Sequence, residues 1–140
     1  MQKRFTAIVP TSMEALSKHF QFSPAVRVGS HILVSGIIGV DPQGRLPADF
    51  RRQAENVLAT LEAIVSEAGA TMDDVVSLNS YHVGDLQSQL AQLAEVKAGR
   101  QGAPPYPIWT GVGVAQLAMP GALLEVSAVV RARGPVSAPP

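Results

Sequence analysis

At 140 residues, with 46% hydrophobic and only 5% aromatic side chains, the chain is sized for one domain with an aliphatic core. Lys plus Arg number 11 and Asp plus Glu number 11, so the formal net charge is zero, and the short pairs Arg51-Arg52 and Arg131/Arg133 read as solvated charges rather than a phosphate-tracking surface. No cysteine is present, which excludes disulfides and thiolate metal sites and is compatible with a reducing compartment.

Phe5 to Val9 reads as a first strand closed by Pro10, and Thr11 to Gln21 as a loop. Ala25 to Val28 and His31 to Val34 flank Gly29-Ser30 as a β-hairpin. Extended chain continues through Ile37 to Val40, with Gly36 and Gly39 placed to permit bends or bulges. Asp41-Pro42-Gln43-Gly44 is a turn.

Phe50, Ala54, Val57, Leu58, Leu61, Ile64, Val65 and Ala68 recur at spacings of three and four, the signature of one helix face. Asp49 is placed to cap that helix and Gly69 to end it in a left-handed conformation. Thr71 with Asp74 resembles a capping box. Val75 to Val83 reads as a strand, with Val76, Leu78, Ser80 and His82 on one face. A second helix starts from a cap at Asp85, with Leu86, Leu90, Leu93 and Val96 toward the core and Gly99 and Gly102 at its end. Ala103 to Pro107 is a stiff linker, Ile108 to Ala115 a strand, Met119-Pro120-Gly121 a turn and Leu123 to Val130 the last strand. Residues 1–133 make a single domain on this reading, and residues 134–140 a frayed tail.

The order β-β-β-α-β-α-β-β predicts an α+β domain: a mixed sheet with both helices on one face, because each helix has one apolar stripe to bury. The opposite sheet face also carries many apolar side chains, which points to self-association. The N-terminal residues lack the apolar segment of a signal peptide, and no apolar run is long enough to span a bilayer. A cytoplasmic protein without membrane contact is expected.

Several of these segments share a pattern. Phe22-Ser23-Pro24-Ala25-Val26-Arg27-Val28-Gly29 followed by Leu33-Val34-Ser35-Gly36 resembles the opening of the Rid (YjgF) family. Gln53 to Gly69 with Asp74-Val75-Val76 resembles that family's long helix and next strand, and Pro120 to Val126 its closing turn and strand. The similarity runs from about residue 20 to about residue 131. It implies a chorismate-mutase-like fold and a barrel-like homotrimer, with sheets inward, helices outward and a cleft between each pair of subunits. It further implies hydrolysis of reactive enamines and imines to ketones and ammonia, without metal or organic cofactor.

The resemblance carries a candidate site. Glu125, the one charged residue within an apolar strand, matches the family's water-positioning acid. The open alternative is a Glu that faces solvent on an edge strand. Trp109 falls where the family has an Arg that clamps the substrate carboxylate, in the run Pro107-Ile108-Trp109-Thr110. An indole replaces the guanidinium fork with one N–H and an apolar face, unless Trp109 is ordinary packing. Phe22 stands for the usual Tyr and Ile37 for a Gln after Ser35-Gly36. Gly111 stands for Cys or Thr, and Leu93 lies near a frequent Asn. These four changes strip polarity and suggest a ligand that is apolar or uncharged. Ser35 and Thr110 keep hydroxyls at the implied cleft but have no evident activating base. Arg27 or Arg100 from a neighbouring subunit could supply the missing cation.

His19, His31 and His82 show no metal-ligand spacing, and His82 reads as structural or, alternatively, as a proton carrier. Gly111-Val112-Gly113 lacks the spacing of a phosphate loop. Three functions stay open: an imine or enamine hydrolase, a non-catalytic trimer that binds a small molecule, and RNA cleavage. The neutral charge disfavours the last.

Overall fold

A computed structural model describes residues 3–134. Nearly all of the expected tail therefore lies outside the described residues. Among them, six strands form one mixed sheet in the order β1-β2-β3-β6-β4-β5. In chain order these are β1 (Thr6–Ile8), α1 (Glu14–Phe20), β2 (Ala25–Val28), β3 (His31–Ile38), α2 (Phe50–Glu67), β4 (Val75–His82), α3 (Leu86–Ala98), β5 (Ile108–Gly113) and β6 (Leu124–Arg131). All neighbouring pairs are antiparallel except β4 and β5. The last strand, β6, fills the centre, between β3 and β4.

The long helix α2 obeys the periodicity. Asp49 accepts a hydrogen bond from the Arg52 N–H at 3.1 Å, and Gly69 turns the chain out at φ 79°. Its buried stripe, Phe50, Ala54, Val57, Leu58, Leu61, Ile64 and Val65, packs on Ile32, Val34, Ile37, Leu124, Val126 and Val130 of the sheet. Gln53 belongs to the same stripe and is fully buried. Its amide donates to Pro47 O (2.7 Å) and Gly121 O (3.1 Å) and accepts from the Leu123 N–H (2.9 Å). One side chain thus ties the chain before α2 to the turn that launches β6, with every polar atom satisfied as burial demands.

Two expectations are corrected by β-bulges. The β3–β6 register shifts between Val34 and Ile37, with one extra residue on β3. The bulge puts Ile37 on the same covered face as Ile32 and Val34, at 5% exposure. The β4–β6 register shifts between Val75 and Ser77. Val75 therefore joins Leu78, Ser80 and His82 on the covered face while Val76 turns outward, the reverse of simple alternation.

The stretch expected as loop, Thr11 to Gln21, holds a 3-10 turn and the short α1. Without a buried residue in α1 there was no apolar stripe for periodicity to detect. The helix α3 is rotated from its expected face: Gln89, Leu93 and Lys97 are deepest, while Leu86, Leu90 and Val96 are half-buried. Asp74 receives the Thr71 N–H at 2.9 Å and pairs with Arg133 at 2.6 Å, which holds the end of the last strand against the loop after α2.

Candidate active site

The sheet has a covered face and an open face, and the nominated residues divide between them. Glu125 sits on the open face near the start of β6, paired with Ile38 on one side and Tyr81 on the other. Its strand is therefore central, which removes the edge-strand alternative. Ser127 and Val129 continue its face, and on the same face Val28 of β2, Leu33 of β3 and Ile108 and Val112 of β5 are exposed. Ile108 reaches 73% exposure in the single subunit.

The Ser35-Gly36 bulge lies opposite Ser127, within reach of the Glu125 side chain. A Cβ on Gly36 would meet the Glu125 Cδ and Oε2 at 2.6 Å, so the carboxylate rests directly over the glycine backbone. Ser35, half-buried, donates its backbone N–H to Pro24 O at 2.9 Å. Phe22 comes after Gln21, whose left-handed backbone (φ 54°) ends α1, and its N–H bonds Ser17 O at 3.2 Å. Thr110 is exposed and pairs with Asn79 on the open side.

Trp109 and Gly111 belong to the covered side. Their partners across the parallel ladder are Leu78 and Ser80. The Trp109 indole N–H donates to Ser80 Oγ at 2.8 Å, and Ser80 Oγ lies 2.8 Å from His82 Nε2. His82 Nδ1 faces Gln89 Oε1 at 3.1 Å, while Gln89 Nε2 donates to Val83 O at 2.8 Å. The donor roles fix the proton positions. Gln89 spends its N–H on Val83, so its oxygen accepts from His82 Nδ1–H. The ring's Nε2 then accepts the Ser80 hydroxyl, whose oxygen accepts the indole N–H.

Burial holds the His82 pKa below its ordinary value, although the Gln89 hydrogen bond pulls the other way, and this agrees with a neutral ring. Serine, histidine and amide here form a support and not a nucleophile, because Ser80 is 1% exposed. A Cβ on Gly111 would strike Leu90 Cδ2 at 2.5 Å, so that glycine lets α3 close over the chain of hydrogen bonds.

Lys97, one turn beyond Leu93 on α3, completes this side. Its ammonium stands 4.1 Å from the Trp109 ring centroid, and the residue is 9% exposed. Burial pushes its pKa below the usual lysine value. A single lysine on a helix gives no periodic signal, so the sequence did not single it out. Its i, i+4, i+8 line with Gln89 and Leu93 was the available clue.

The two arginines considered as substitutes are placed differently. Arg100 pairs with Glu62 at 3.4 Å on the outer helix layer. Arg27 bonds Gly29 O through Nε at 3.3 Å and leaves one buried guanidinium nitrogen without a partner. Depressions of about 580 and 510 Å³ occur by α2 and α3, and neither is lined by Glu125 or Trp109. Among the described residues there is no group of three or more metal-ligating side chains, and no helix is long and apolar enough to cross a membrane.

The family model described as Endoribonuclease L-PSP matches residues 12–132. The RutC family protein YjgH of Escherichia coli is 35% identical over 126 residues, covering 90% of this chain and 94% of that protein. A solved structure of Protein YJGH superposes with a TM-score of 0.83 at 33% identity, covering 95% of this chain and all of that one. A 2-iminobutanoate/2-iminopropanoate deaminase of Dermatophagoides farinae is 27% identical over 119 residues, covering 78% of this chain and 84% of that protein. The fold and these matches agree, and the chain belongs to the Rid (YjgF) family.

Proposed function

We propose that the protein hydrolyses small imines or enamines to a carbonyl compound and ammonia, in a cleft that a second copy of the chain completes, within a homotrimer. The observation that carries this reading is the Glu125 carboxylate, on the open face of the central strand β6 and seated against Gly36. The relative named as a 2-iminobutanoate/2-iminopropanoate deaminase supports the reaction class. The open face supports assembly, since it exposes Val28 and Leu33 on β2 and β3 and Ile108 and Val112 on β5, and exposed apolar side chains on both flanks of one sheet face are suited to an interface.

In the proposed reaction, Glu125 accepts a proton from water as the oxygen adds to the C=N carbon. The carboxyl returns that proton to the nitrogen, which gives the neutral carbinolamine; as the C–N bond breaks, the carboxylate takes the carbinolamine hydroxyl proton and passes it to the departing nitrogen, leaving the carbonyl and ammonia. Ser35 and Thr110 are the hydroxyls available to hold water or the product carbonyl, and Phe22 offers an apolar wall.

The preference for an uncharged or apolar substrate has less support than the reaction class. Of the four polarity-stripping changes, Ile37 and Leu93 are core residues and Gly111 makes room for Leu90, so packing inside the subunit accounts for three. RNA cleavage, the activity in the family model's description, is not favoured: the net charge is zero, and Arg51 and Arg100 are paired with Glu95 and Glu62.

The test is ketone and ammonia release from imines generated in situ, with amino-acid oxidase for carboxylate-bearing imines and amine oxidase for neutral ones. Accelerated release by a species of trimeric mass is expected. No acceleration across both panels, with ligand-induced thermal stabilisation alone, would establish the non-catalytic binding trimer instead.

A further inference from the structure

We propose that Tyr81 is a positioning residue for Glu125: its ring closes the β4 side of that side chain and so directs the carboxylate into the notch over Gly36. The consequence for turnover rests on the imine-hydrolase reading, whereas the placement of the carboxylate does not.

The neighbours of Glu125 on the sheet define the notch. Glu125 stands directly opposite Ile38 on β3 and Tyr81 on β4. Side chains so placed on antiparallel strands lie about 4.5–5.5 Å apart at Cβ, near enough for a long side chain to be confined by both. All three are half-buried on the open face, because the residues next to them in sequence, Ile37, Ser80, His82, Leu124 and Val126, are buried on the other. Both direct crossings from Glu125 are therefore filled, one by a branched aliphatic group and one by a phenol ring.

The diagonal positions differ. On β4 the diagonal neighbour is Asn79, the partner of Ser127. On β3 the bulge brings Gly36 to that place, and no side chain stands there. The carboxylate takes the vacancy: Cδ and Oε2 lie 2.6 Å from the point a Gly36 Cβ would occupy. A missing side chain makes one rotamer roomy, but it does not empty the others. The Tyr81 ring stands on the side away from the notch, backed by Val112 as its partner on β5, and it occupies the space of the rotamers that lean toward β4. Glycine and ring thus act together, one opening a place and the other closing its alternative. The purely structural alternative is a tyrosine that packs on Val112 and leaves Glu125 alone.

Tyr81→Val keeps a strand-forming side chain and removes the ring, and Tyr81→Phe removes the hydroxyl alone. Crystal structures read the placement directly. The wild type should hold the Glu125 carboxylate over Gly36 with the Tyr81 ring beside it, and Tyr81→Val should release the carboxylate into other conformers. On imines generated in situ, Tyr81→Val should lose about three- to tenfold in kcat with KM within about twofold, the dilution expected when one or two torsions become free among three staggered wells each. Tyr81→Phe should keep the wild-type kcat. Gly36→Ala already displaces the carboxylate, so adding Tyr81→Val to it should cost nothing further. A Tyr81→Val variant with its carboxylate still on Gly36, a Tyr81→Phe variant as slow as Tyr81→Val, or losses that multiply in the double variant would each overturn the proposal. So would a lower unfolding midpoint in Tyr81→Val at unchanged kcat, which is the signature of packing alone. A wild-type structure with the ring turned away from Glu125 would overturn it even if Tyr81→Val fails to fold. Release of the carboxylate in Tyr81→Val, with no imine turnover by the wild type, would leave this inference standing and remove the hydrolase reading. Wild-type turnover that Tyr81→Val neither slows nor accompanies with movement of Glu125 would do the opposite.

Discussion

Substituting Gly36 by Ala separates the role of the Glu125 carboxylate from the stability of the fold. The added methyl carbon would stand 2.6 Å from Cδ and Oε2 of Glu125 and 3.0 Å from Cγ. Non-bonded carbons settle at about 3.5–4.0 Å, so the carboxylate must retreat by about 1 Å. It can do so, because it is the far end of a flexible side chain. The backbone does not resist either, since Gly36 is not among the glycines with positive φ. Loss of glycine freedom in the unfolded chain offsets the crowding by about 0.4–1 kcal/mol. Stability should therefore stay within about 1 kcal/mol of wild type. Activity should not, because displacement of a catalytic group by about 1 Å costs on the order of a hundredfold. Urea unfolding and imine-hydrolysis rates on the same preparation make the comparison. Wild-type turnover by Gly36→Ala, in a crystal structure that shows Glu125 displaced, would refute a catalytic role for this contact.

Other perturbations test the framework around the site. Gln53→Ala should destabilise the fold by at least about 2 kcal/mol, because it strands the buried Leu123 N–H and two carbonyls; a urea midpoint equal to wild type would contradict that. Burial depresses the His82 pKa, so below about pH 6.5 the unfolded chain binds the proton that the folded chain resists. Stability should then fall as pH drops from about 7.5 to about 5.5, and less steeply in His82→Asn, whatever its absolute stability; equal slopes would show that the imidazole is not held neutral.

The helix α2 was legible in the sequence because its stripe, its Asp49 cap and its Gly69 exit all agree. The fold class and family came from that helix and the segments around it. The bulges were foreshadowed by Gly36 but not by anything at Val75, and each bulge reverses the face of the residues beyond it. That is why Ile37, aligned with a cleft residue, lies in the core. The rotation of α3 was hidden because its deepest positions, Gln89 and Lys97, are polar residues that burial disfavours unless they are satisfied. For Gln89 the reason is the chain of hydrogen bonds from Trp109 to Val83, and for Lys97 the Trp109 ring beneath its ammonium; both join residues distant in sequence and exist only once β4, α3 and β5 are assembled. Glu125 was legible for the opposite reason: one acid in an apolar strand stands out locally.

Glu125→Gln keeps the shape of the side chain and removes its capacity to take a proton from water. In a coupled assay that counts ammonia released from a preformed imine pool, the wild type should accelerate release. The variant, at unchanged native mass and unfolding midpoint, should lose about a hundredfold or more, the scale of general acid–base catalysis. Release by Glu125→Gln at the wild-type rate would mean that the carboxylate over Gly36 takes no part in the chemistry.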